Sequence, residues 1–176
     1  TLPGAFAVVD GVGNWSISIS PADVASFGVG GETISASQTL AGTGFVSAAA
    51  TRPFTVEGAP LPTLAIAALN ADQSEGDAGS KAFTFTVSRA GDTSGSSSAL
   101  WAVTGSGSNP ADASDFSGAV LPSGTVSFAA GESSQTITVQ VSGDTLVELD
   151  EGFTVTLSGP SGATIATGAA SGTIRN

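Results

Sequence analysis

Residues 81–89 read Lys-Ala-Phe-Thr-Phe-Thr-Val-Ser-Arg. In an extended chain successive side chains point to opposite faces, so Phe83, Phe85 and Val87 share one face and Thr84 and Thr86 the other. The same period of two recurs at Ile137, Val139 and Val141 and again at Phe153, Val155 and Leu157. No segment sustains the i, i+3, i+4, i+7 apolar spacing of a long amphipathic helix. A strand with one apolar face must bury it against a second layer. The alternation therefore predicts an all-β chain of stacked sheets.

Further short runs complete the pattern. Residues 63–69 (TLAIAAL), 98–104 (SALWAVT), 124–131 (GTVSFAAG) and 171–176 (SGTIRN) are separated by Gly, Pro, Asn and Ser clusters. About seven strands in roughly 115 residues predict an antiparallel, immunoglobulin-like β-sandwich. Upstream, Trp15, Ile17 and Ile19 alternate with serines. Residues 31–39 add a strand with Ile34 and Ala36 inward, and residues 50–57 one with Phe54 and Val56 inward. Gly58 to Pro62 holds two prolines, which cannot donate to a ladder, and reads as a short stiff linker. The expected organisation is two sandwich modules in tandem, residues 1–59 and 60–176. Three or four strands cannot bury both faces of a sheet, so the first module reads as incomplete. A strand from a neighbouring subunit would complete it and link copies into a filament.

The 176 residues carry 15 acids and four bases, a net charge of −11. Nucleic acid and anionic membranes repel such a surface, and small cations are its natural partners. There is no Cys and no His. That removes thiolate and imidazole metal sites and the usual Ser-His and Cys-His catalytic pairs. No run is long and apolar enough to span a bilayer. Paired carboxylates could serve a glycosidase, but a sandwich of this size is nearly all core, and the expectation is a non-enzyme. Trp15 and Trp101 read as core residues, and Arg89 and Arg175 as surface charges at strand ends.

One stretch breaks the sparse charge. Residues 144–151, Asp-Thr-Leu-Val-Glu-Leu-Asp-Glu, hold four carboxylates before the strand of Phe153. Two like charges about 4 Å apart repel by about 1 kcal/mol in water and more near protein. Loops of a sandwich cluster at its ends, so Glu75, Asp112, Asp115 and the 144–151 acids can converge there. An oxygen-only cage on flexible loops selects a hard cation, calcium before magnesium. Their bland alternative is turn capping in solvent. Asp150 and Glu151 read first as structural acids that bond loop amides, with Gly152 allowing a tight approach.

The elements SEGDAGSKAFTFTVSR, NPADASDF, GTVSFAAGESSQTITVQVSGD, ELDEGFTVTLSGPSGATI and a closing GTI resemble, in order, a Calx-beta domain. The resemblance implies an immunoglobulin-like sandwich, which senses calcium in sodium–calcium exchangers and recurs in long secreted bacterial surface proteins. It implies metal ligands at Glu75, Asp115, Asp144, Asp150 and Glu151. Exchanger domains carry a run of acids where this chain has Gly143-Asp144-Thr145, and another acid at Leu100-Trp101. Fewer charged ligands imply one weakly held Ca2+. Residues 9–20, 22–23, 30–39, 41–50 and 54–60 resemble the C-terminal part of a bacterial Ig-like repeat. Together the resemblances imply two modules of an extracellular bacterial adhesin or surface fibre. Its partners would be neighbouring modules or subunits and a host or matrix ligand. An accessory module of a secreted enzyme and a calcium-sensing regulatory domain are the alternatives.

Overall fold

The computed structural model of the protein describes residues 7–9, 15–17, 30–36, 50–56 and 60–176. The chain divides into two compact units, Thr1–Ala59 and Pro60–Asn176. In the first, β1 (Ala7–Val9) pairs antiparallel with β2 (Trp15–Ile17), and β3 (Gly30–Ala36) with β4 (Ala50–Val56). The side chains of Trp15, Ile34, Ala36, Phe54 and Val56, and residues Gly58 and Ala59 of the expected linker, are not among what the structure describes.

The second unit is a sandwich. Its strands are β5 (Thr63–Asn70), β6 (Asp72–Ser74), β7 (Ser80–Ala90), β8 (Ser97–Ser106), β9 (Ser123–Phe128), β10 (Ser134–Ser142), β11 (Glu151–Ser161), β12 (Thr164–Thr167) and β13 (Ala169–Arg175). A 3-10 turn, Ala113–Asp115, lies between β8 and β9. One sheet has the order β10-β7-β5-β12 and the other β6-β13-β11-β8-β9. Among the described residues no helix is long and apolar enough to cross a membrane.

The expectation of a purely antiparallel sandwich needs one correction. β12 pairs parallel to β5, and β13 parallel to β6. The entering chain changes sheets at the buried Ala71, whose carbonyl accepts from Thr173 N at 2.7 Å. Its two halves therefore fall in different sheets, β5 between β7 and β12 and β6 at an edge beside β13, and each runs alongside a late strand of the same direction.

The alternating residues line the core. Phe83, Phe85, Val87, Ile137, Val139, Val141, Phe153, Val155 and Leu157 are all buried. Phe153 sits at the centre, edge-on to Phe83, Phe85 and Phe116 with centroids 5.9, 5.9 and 5.6 Å away. Aromatic rings favour this arrangement because the positive edge of one meets the negative face of another. Opposite Phe153 on β13 stands Gly172, where a Cβ would run into the Phe153 ring. Trp101 is only partly buried; it packs against the core and lies over Gly124.

Arg89 corrects the surface-charge reading, for it is 3% exposed. Two residues beyond Val87, it shares the apolar face of β7 and points inward. Nε donates to Glu132 O at 2.8 Å; Nη1 donates to Gly95 O at 2.8 Å and Ser97 Oγ at 3.1 Å; Nη2 donates to Thr93 O at 3.3 Å and Ala129 O at 2.9 Å. The guanidinium also lies 5.3 Å from the Phe128 ring centroid. A buried charge is costly unless its donors are satisfied, and here each nitrogen is used. Arg89 thus ties two loops together at the end of the sandwich where β7 finishes.

Candidate metal centre

The acids gather at the other end. There β6 and β13 finish side by side, β7 begins opposite the end of β10, and β11 begins opposite the end of β8. Three loops meet at this pole, residues 75–79, 107–122 and 143–150.

Glycines let the loops touch. A Cβ at Gly143 would collide with the Gly76 carbonyl, and Gly143 N donates to Gly79 O at 3.0 Å. This close approach sets Asp144 beside Glu75. A Cβ at Gly152 would lie 2.6 Å from Ser106 O, and one at Gly105 would collide with Ala111 O. With both positions bare, the 109–111 backbone lies flat on the start of β11: Gly152 N donates to Asn109 O at 2.8 Å and Ala111 N to Gly152 O at 2.9 Å. That seats the next residues over Glu151. Asp112 caps the 3-10 turn by accepting from Ser114 N at 2.7 Å, and Asp115 accepts from Asp112 N at 2.6 Å. Phe116, the neighbour of Asp115, drops into the core against Phe153. One dipeptide thereby anchors the loop and presents a carboxylate.

Carboxylate oxygens of Asp115, Glu148 and Glu151 lie within 4.8 Å of one another. Glu151 shares the core-facing side of β11 with Phe153, at the mouth of the sandwich. Its carboxyl is pushed up to about 7, first by burial, then by the charge of Asp115 and a hydrogen bond with it, then by Glu148 and Asp112. Glu75 is 8% exposed. Burial raises its carboxyl above the usual range, and the charges of Asp144, Glu148 and Asp115 raise it further. Thus the structure brings Asp115 and Glu151 together and sets Glu75 and Asp144 near them. Asp144 also caps its own turn, accepting from Leu146 N at 2.6 Å.

Asp150 is placed differently. Its Oδ2 accepts from Arg175 Nη1 at 3.0 Å, while Arg175 also donates from Nε and Nη2 to Asp72 at 2.6 and 2.8 Å. That guanidinium holds the Asp72 carboxyl below its ordinary value, mainly by hydrogen bonding. Side chains alternate along the chain entering β11, so Asp150 falls on the side opposite Glu151. Glu148 is one of the acids expected to converge, though not one of the five ligands the resemblance implies, and the structure sets it beside Asp115 and Glu151.

The donor set fits a hard divalent ion. It is all oxygen, it comes from three separate loops, and among the described residues no Lys or Arg acts on Glu75 or Glu151 to offset the repulsion. Asp115, Glu148 and Glu151 would hold the ion, with Glu75 and Asp144 on its flank.

Fold and pole together define a β-sandwich module that collects carboxylates from separate loops at one end. The Calx-beta domain family matches residues 65–175, and the chain belongs to that family. Among solved structures it is similar to the apo-form Calx CBD1 domain, with 24% identity and a TM-score of 0.54 over 65% of this chain and 96% of that one. It is similar to CBD12 from CALX1.2, with 25% identity and a TM-score of 0.53 over 64% of this chain and 44% of that one. A third is the calcium binding domain CBD12 of CALX1.1, with 23% identity and a TM-score of 0.49 over 61% and 44%. No curated protein sequence matches the chain.

Proposed function

We propose that the Pro60–Asn176 unit is a non-catalytic module that binds a calcium ion at its acidic pole, and that the ion locks three loops into one rigid end. The observation that carries this reading is the meeting of Asp115, Glu148 and Glu151 within 4.8 Å, with no base among the described residues to neutralise them. Without a cation the pole stores repulsion; with one, the same groups crosslink the loops. An ion bound only by the folded form adds stability by mass action, about 2.7 kcal/mol at a hundredfold excess over Kd.

In the larger setting, the chain serves as a pair of spacing modules in a secreted, repeat-built bacterial surface protein or fibre. Abundant Gly, Ser and Thr, the absence of Cys and a net charge of −11 support that setting, together with the Ig-like resemblance of residues 1–59. A melting scan with chelator and then millimolar calcium tests the module; a shift near zero refutes the metal role.

A further inference from the structure

Beside the triad, residues 74–77, 144–147 and Asn176 enclose a cavity of about 330 Å³. Glu75 forms part of its wall. The residue is more than nine-tenths buried, and its carboxylate accepts no hydrogen bond from any described residue. Among the described residues every unpartnered side-chain oxygen keeps some accessible surface, so the carboxylate of Glu75, a residue of the cavity wall, is within reach of a small donor. The charged groups acting on it are all carboxylates. The lips are aliphatic: Leu146 is 66% and Val147 97% exposed, and Asp144 accepts from the Leu146 amide. Leu149, two residues further along the same loop, is 69% exposed.

A buried anion behind aliphatic lips matches a compact cation carried on a methylene stem. Such a stem would cover Leu146 and Val147, and its ammonium would meet the carboxylates of Glu75 and Asp144. With Leu149 also exposed on this loop, three aliphatic side chains offer more surface than a free amine would cover. We propose that this cavity receives a lysine side chain presented by a partner protein, and that the lysine competes with calcium for the Glu75–Asp144 side of the pole. Only the competition rests on the calcium reading.

The test uses the whole chain and a fluorescein-labelled pentapeptide, one lysine among alanines with both ends blocked, read by anisotropy in chelator. Saturable binding is expected, weakened about tenfold or more when norleucine replaces lysine and by a similar factor in Glu75→Gln. Asp92→Asn removes the same charge at the far end of β7 and should change binding less than about twofold. Replacing Leu146 and Val147 with serine should weaken binding several-fold while leaving the melting temperature within a few degrees. Equal losses in Glu75→Gln and Asp92→Asn would mean diffuse attraction to an acidic protein and overturn the proposal. So would undiminished binding of the norleucine peptide, or no saturable binding at all. If calcium binds but leaves peptide affinity unchanged, the competition is wrong and the calcium reading stands. If calcium does not bind, the calcium reading fails and the peptide series still decides the pocket.

Discussion

Replacing Glu151 with glutamine should stabilise the metal-free protein at alkaline pH. The carboxyl of Glu151 sits at about 7 in the fold against an ordinary value of 4.5. Its contribution is fully favourable below 4.5 and is lost as pH rises through 7, because the fold must then hold the charged form beside Asp115 and Glu148. The interval is about 2.5 units, a ceiling of about 3.4 kcal/mol; partial exposure and solvent screening reduce it to about 1–2 kcal/mol. For a unit of this size that is about 4–8 °C. Differential scanning calorimetry in chelator should show the Pro60–Asn176 transition of Glu151→Gln rising by that amount at pH 8, and little difference from the parent at pH 5. In saturating calcium the order should reverse, since the variant loses a ligand. A variant no more stable than the parent at pH 8 in chelator would show that the pole stores no repulsion at Glu151.

Other perturbations separate architecture from site. Arg89→Met takes a donor from four backbone carbonyls and Ser97 Oγ, of which only Thr93 O and Ala129 O keep a backbone partner, and should cost about 3–5 kcal/mol by urea denaturation, with Arg89→Lys recovering only part because an ammonium has three donors. Gly172→Ala drives a methyl into the Phe153 ring and should cost about 2–4 kcal/mol on the same denaturation curve. Gly143→Ala pushes the 143–150 loop off Gly76 and should weaken calcium binding about tenfold, read by calorimetric titration, with a smaller loss of stability.

Most of the second unit was legible because its core is written in period two. Phe83-Phe85-Val87, Ile137-Val139-Val141 and Phe153-Val155-Leu157 each point one way, and each became a buried strand face. The same parity carried information that a charge-based reading passed over. It puts Arg89 on the inward side with Val87, and it puts Glu151 on the core side and Asp150 on the other. The short strands β6 and β12 were not legible. They have three and four residues, no apolar alternation, and partners chosen by tertiary contacts, such as Gln73 Nε2 donating to Ala82 O at 2.6 Å and Thr164 N to Pro62 O at 2.9 Å. The pole was legible as a set of acidic loops. What local sequence does not show is the backbone contact that selects among the acids, made through Gly105, Gly143 and Gly152.

The most direct test of a shared calcium pole is isothermal titration of the parent chain beside two charge-matched variants, Glu151→Gln and Asp150→Asn. Asp150 answers to Arg175, whereas Glu151 stands with Asp115 and Glu148. Saturable calcium binding that Glu151→Gln weakens about tenfold or more, and Asp150→Asn leaves within about twofold, is the predicted result. Equal losses in the two variants, or no calcium heat in the parent chain, would contradict it.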